Sequence, residues 1–113
     1  MIPSTHRLPG HRIPVLLKNG RRFNGEIASL IFLQNESGEN SHIAAIVPVK
    51  LSKKAVYRNR TRRLIYESIR QNISEIKPGF EIIIMAKKLF AEEKLSDVQK
   101  PIMDLLQKAE LLS

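Results

Sequence analysis

The chain has 113 residues, of which 42% are hydrophobic and 27% charged, enough for one core and too few for two independent ones. Lys and Arg exceed Asp and Glu by nineteen to eleven, and the resulting net charge of +8 favours an anionic partner without choosing between RNA, DNA and a lipid surface. The lack of cysteine excludes a disulfide frame, a thiol nucleophile and a Cys-ligated zinc site, and no apolar run reaches the length of a signal peptide or a membrane span, so the expectation is a soluble cytoplasmic protein.

Residues 1–12 contain Pro3, Pro9, Gly10 and the basic side chains His6, Arg7, His11 and Arg12 without periodicity, which predicts an extended or loosely ordered, flexible basic arm. Residues 13–18 predict a short helix with Ile13, Leu16 and Leu17 on its apolar side, Pro14 in the first turn and Asn19 and Gly20 as its end. Arg21 and Arg22 follow, so the first 25 residues form a second, weaker basic region with no acid. The runs 27–33 (IASLIFL) and 43–49 (IAAIVPV) read as strands, and NESGEN between them has the composition of a hairpin loop, predicting an antiparallel pair. Pro48 cannot donate to a ladder, which places the second strand at an edge or ends it there.

The stretch 50–70, KLSKKAVYRNRTRRLIYESIR, holds eight basic residues and only Glu67 as an acid, so it carries +7 of the net +8. At about 100° per residue, Tyr57, Thr61, Leu64, Ile65, Ser68 and Ile69 share one mainly apolar arc suited to docking on a core. Asn59, Arg60, Arg62, Arg63, Arg70 and Tyr66 occupy the opposite arc, Arg58 lies at the border, and Ser52 is an early capping candidate. Four arginines within six positions repel one another, and no Glu intersperses them. Guanidinium groups fork onto phosphate oxygens and stack on bases as ammonium groups cannot, so the arc suits a nucleic acid better than plain solvent.

Pro78 and Gly79 stop this helix, and FEIIIMA at 80–86 reads as a strand at an inner sheet position, with Lys87 and Lys88 at its end. Residues 95–112 predict a last amphipathic helix with Val98, Ile102, Leu105, Leu106, Ala109 and Leu112 on its core face. Ser96 with Gln99 resembles a capping box, and Pro101 either marks the true start of that helix or kinks it. His6, His11 and His42 lack metal-ligand spacing, the carboxylates cluster in the least basic part of the chain, and no Gly-rich phosphate loop occurs. Neither a catalytic nor a metal site is assigned to the side chains, and a binding subunit is the reading they support.

The segment 54–63, KAVYRNRTRR, resembles the signature of the bacterial ribonuclease P protein family: Lys-Ala-Val, any residue, Arg-Asn-Arg, any residue, Lys or Arg, Arg. Order and spacing elsewhere agree over essentially the whole chain. The resemblance implies a single domain over residues 1–113, α+β with αβββαβα order, in which a small central sheet and helices form a two-layer sandwich of the ribosomal-protein-like kind with a left-handed βαβ crossover. It implies a subunit that assists a catalytic RNA in removing the 5′ leader of precursor tRNA, with Mg2+ bound mainly by RNA and no obligate protein partner. The resemblance assigns Arg58, Asn59, Arg60, Arg62, Arg63 and Arg70 to contact with the RNA subunit. It assigns Ile13, Leu17, Ile31, Lys50, Lys53, Lys54, Lys87 and Lys88 to the leader and precursor.

Family members usually carry aromatic residues where Ile13, Leu17 and Ile31 stand, so the leader cleft here is expected to use aliphatic contact and charge. Val49-Lys50-Leu51 also replaces the usual Ser-Lys-Lys, and Lys53 a usual glycine. Three rivals share the basic stripe. A non-catalytic ribosome- or RNA-associated structural protein would bind RNA without aiding cleavage. A helix-turn-helix DNA binder needs a companion helix where strands are predicted. A membrane-surface helix needs an apolar arc richer in Trp, Phe or Leu.

Overall fold

The apolar run FEIIIMA lies at the middle of the molecule. A computed structural model describes residues 6–35, 40–90 and 92–113. In chain order they form α1 (Ile13–Asn19), β1 (Arg21–Asn24), β2 (Ala28–Gln34), β3 (His42–Ile46), α2 (Ala55–Arg70), β4 (Phe80–Ala86) and α3 (Leu95–Lys108), which is the expected αβββαβα order. The sheet runs β1-β2-β4-β3, so β4 is an inner strand as its continuous apolar composition predicts. Ile82, Ile83 and Ile84 have no exposed surface. Burying each contributes about 1.5–3 kcal/mol relative to leaving it in water.

The expected antiparallel pairing of the second and third strands does not form. β4 separates them, pairing antiparallel with β2 (Ala28↔Ala86 to Gln34↔Phe80) and parallel with β3 (His42↔Glu81 to Ile46↔Met85). The physical reason is visible in β2, whose residues Ala28 to Phe32 are all buried. A strand covered on both faces does not alternate, so its composition cannot say which neighbour it takes. Residues 36–39 of the expected hairpin loop lie outside the described residues. On the other side of β2, the basic segment after α1 forms β1, paired antiparallel with β2 from Arg21↔Phe32 to Asn24↔Ser29.

Alternation along the strands divides the core between the two faces of the sheet. Leu30, Ile43, Ile82 and Ile84 pack with Ile65 and Ile69 of α2 and Val98, Ile102 and Leu106 of α3. Ile31, Ala44 and Ile83 face the other way and pack with Leu16 of α1 and with Leu8 ahead of that helix. The charged entrance to α1 is fixed by Arg12, which donates from Nε and Nη2 to the two carboxylate oxygens of Glu81 at 2.7 and 2.6 Å.

β3 is an edge strand, and its spare backbone groups are covered from two sides. The Leu8 N–H donates to the Ile43 carbonyl at 3.0 Å, and the Tyr66 hydroxyl accepts from the Ala45 N–H at 3.0 Å. Within residues 6–12, Leu8 is buried and Arg7 bridges Ile43, while residues 1–5 of the expected arm lie outside the described residues. At the start of β3, the buried Ser41 hydroxyl donates to the Lys77 carbonyl and accepts from the Phe80 N–H, joining the beginnings of β3 and β4.

α3 departs from expectation at both ends. Its N-terminus is held by Asp97, whose carboxylate accepts from the Lys94 N–H at 2.9 Å, instead of by Ser96 and Gln99. Pro101 lies inside the helix and does not begin it, and the helix stops at Lys108, so Leu112 pairs with Ile76 in an extended bridge. Among the described residues no helix is long and apolar enough to cross a membrane.

Candidate nucleic-acid interface

Strand direction gathers the lysines. Because β3 and β4 are parallel, the segments that follow Ile46 and Ala86 leave from the same end of the sheet, the first carrying Lys50, Lys53 and Lys54 and the second Lys87 and Lys88. β2 runs the opposite way, which brings Gly25 to that end, where its carbonyl accepts from Lys87 Nζ at 2.7 Å. All five lysines are exposed. Lys88 Nζ is 3.5 Å from a Glu93 carboxylate oxygen. The Glu93 carboxyl is held below the usual carboxylate range, first by backbone N–H groups and then by Lys88, so it stays anionic at neutral pH and partly offsets that lysine.

α2 begins at this end and carries its arginines past the sheet, yet they are not equivalent. Arg58 Nη1 donates to the Ser52 carbonyl at 2.7 Å, Arg62 Nη1 donates to Asn59 Oδ1 at 2.7 Å, and Arg70 forks onto Glu67. Arg63 is exposed and, among the described residues, makes no hydrogen bond or ion pair. Asn59, Arg62, Arg63 and Tyr66 line one hollow of about 300 Å³. Two guanidinium forks, an amide and a phenol ring in one depression can take a phosphate and the base beside it.

Two residues placed on the outward arc by helical angle are turned inward. Arg60 donates to the carbonyls of Phe90 and Glu93, both at 3.1 Å, and Tyr66 reaches the β3 edge. Conversely, Tyr57, assigned to the docking arc, keeps 44% of its surface exposed, with Lys54 Nζ 5.7 Å from its ring centre. It sits in the first turn of α2 beside the exposed Val56, where no sheet remains to cover it. The expected early cap Ser52 accepts from the Lys54 N–H at 3.1 Å, just ahead of the helix.

The three apolar positions assigned to the leader part company. Leu17 is half-exposed on α1, and Ile13 is half-buried against the second core. Ile31 is 2% exposed beneath α1, so it has no surface to offer a ligand and supports the helix that carries Leu17.

A family model described as Ribonuclease P matches residues 4–110. The chain belongs to the ribonuclease P protein family. The ribonuclease P protein component of Synechococcus sp. (strain JA-2-3B'a(2-13)) is 32% identical over 116 residues, covering 99% of this chain and 87% of the relative. That of Clostridioides difficile (strain 630) is 35% identical over 95 residues, covering 83% of this chain and 82% of the relative. The RNase P protein from Thermotoga maritima superposes with a TM-score of 0.80 at 26% identity, covering 90% of this chain and 96% of that one. The Staphylococcus aureus RNase P protein superposes with a TM-score of 0.83 at 20% identity, covering 97% and 100%. The αβββαβα frame of this chain thus superposes on both of those structures over 90% or more of its length.

Proposed function

We propose that this chain is the RNA-binding subunit of ribonuclease P and assists its catalytic RNA in the endonucleolytic removal of the 5′ leader from precursor tRNA in the cytoplasm. The observation that carries this reading is the convergence of five exposed lysines, from two different segments, at the end of the sheet where the arginine helix begins. Lys50, Lys53, Lys54, Lys87 and Lys88 neutralise backbone phosphates of the precursor, and the hollow at Asn59, Arg62 and Arg63, with Arg58 beside it, binds the RNA subunit. Tyr57 and Leu17 add stacking and apolar contact to leader bases. In this reading Mg2+ is held by RNA phosphates and supplies the hydrolytic chemistry, while the protein neutralises charge and orients the scissile strand.

The test is cleavage of a 5′-extended precursor tRNA by a bacterial ribonuclease P RNA at low Mg2+, with and without the protein and with Arg62 and Arg63 changed together to Ala. Correct cleavage restored by the wild-type chain and weakened by the double change supports the assignment. Binding to the cognate RNA without any gain in cleavage would replace it with a structural RNA-binding role.

A further inference from the structure

Arg60 belongs to the Arg-Asn-Arg signature, yet its donors are committed within the chain. Nε meets the Phe90 carbonyl and Nη2 the Glu93 carbonyl, each at 3.1 Å. Its neighbour Thr61 accepts from the Phe90 N–H at 2.9 Å while donating to the Tyr57 carbonyl at 3.0 Å. Both backbone polar groups of Phe90 are thereby attached to two successive residues of α2, and the contact is sealed, since Thr61 is fully buried and Phe90 is 1% exposed. Phe90, tied down in this way, stands two positions after Lys88.

We propose that Arg60 is a positioning residue: it clamps the segment after β4 to α2 and so holds Lys87 and Lys88 level with Lys50, Lys53 and Lys54, and it makes no phosphate contact of its own. The inference rests on the assignment of these lysines to the precursor. A planar fork is required because two carbonyls three residues apart are bridged at once, which a lysine's single nitrogen cannot do with the same geometry. Turning Arg60 toward an RNA phosphate would strip both carbonyls of their donor and release the connection that carries the lysines.

The experiment is a double-mutant cycle in the reconstituted holoenzyme. Affinity for a precursor with a leader and for one without is measured for wild type, Arg60→Lys, Lys87→Ala/Lys88→Ala and the combination, each below its melting temperature as followed by circular dichroism. The lysine changes are expected to weaken binding of the leader-bearing precursor about tenfold in the wild-type background and less than about twofold beside Arg60→Lys. Arg60→Lys keeps the charge and is expected not to rescue. The salt dependence of assembly with the RNA subunit is expected to be unchanged by Arg60→Ala. Thr61→Val, which removes an anchor of the same segment without altering charge, is expected to reproduce the precursor defect. Full rescue by lysine, losses that multiply, or a salt slope lowered by about one unit would overturn the positioning role and make Arg60 a phosphate ligand. Lysine changes without effect in the wild-type background would overturn the assignment of Lys87 and Lys88 to the precursor, and the positioning role with it.

Discussion

Arg12 and Glu81 are joined by two parallel hydrogen bonds, at 2.7 and 2.6 Å, across the interface between the entrance of α1 and the central strand. Glu81 is 7% exposed, so a carboxylate left there alone would lack both solvent and partner. Arg12→Ala is expected to destabilise the fold, less than at a fully buried pair because the Arg12 side chain keeps 35% exposure. Urea unfolding at neutral pH measures it.

The same pair sets a pH dependence. The Glu81 carboxyl is held below its ordinary value, first by the hydrogen bonds from Arg12 and then by the charges of Arg12, His42 and His11, against the opposing effect of burial. A carboxylate depressed in the folded state contributes stability that is complete above its unfolded value and is lost as pH falls through the folded one. Glu81→Gln is therefore expected to flatten the acid limb of the stability profile, with wild type and variant converging at low pH. Equal slopes for the two proteins would show that the pair does not carry this dependence.

Arg63→Ala removes an exposed cation with no partner among the described residues, so melting temperature is expected to stay nearly constant while binding to the RNA subunit weakens. Its log–log salt dependence should fall by about 0.7–0.9, the share of one phosphate contact. An unchanged slope would place Arg63 outside the interface.

Tyr57→Ala tests the aromatic platform at the start of α2. The expected loss is about 1–3 kcal/mol in binding a precursor with a leader, and none without one, while Tyr57→Phe retains the affinity. Equal loss for both substrates would move Tyr57 from the leader to another part of the RNA.

Gly20 follows α1 where a side chain has no room. A Cβ there would lie 2.6 Å from both Ile31 Cγ2 and the Leu16 carbonyl oxygen, while its φ of −72° is open to any residue. Gly20→Ala is expected to cost about 1–3 kcal/mol in stability by forcing α1 off the sheet. Thermal unfolding that matches wild type would mean that α1 shifts without penalty.

Elements with a strong local signal were legible in the sequence, and their mutual placement was less so. FEIIIMA announced an inner strand, and the spacing of Thr61, Ile65, Ser68 and Ile69 announced the buried side of α2. The exchange of partners around β4 was not legible, because β2 is apolar on both faces and pairs with whichever strand the chain's return brings beside it. β1 was hidden by its Arg-Arg start, a composition typical of protected sheet edges. Helical angle gave the direction of Arg60, Tyr66 and Tyr57 but neither their reach nor where the sheet ends. Long side chains on the flank of a helix can bend back to satisfy backbone groups, as Arg60 and Tyr66 do.

The insertion of β4 between β2 and β3 also shapes how the chain reaches its native state. The strand that completes the sheet emerges from the ribosome after both of its neighbours, which wait with an open edge until it arrives. Local contacts within the first half cannot close the sheet, so folding depends on a late, long-range event and proceeds more slowly than a succession of hairpins would. During that interval, apolar strands with free edges are open to pairing between chains.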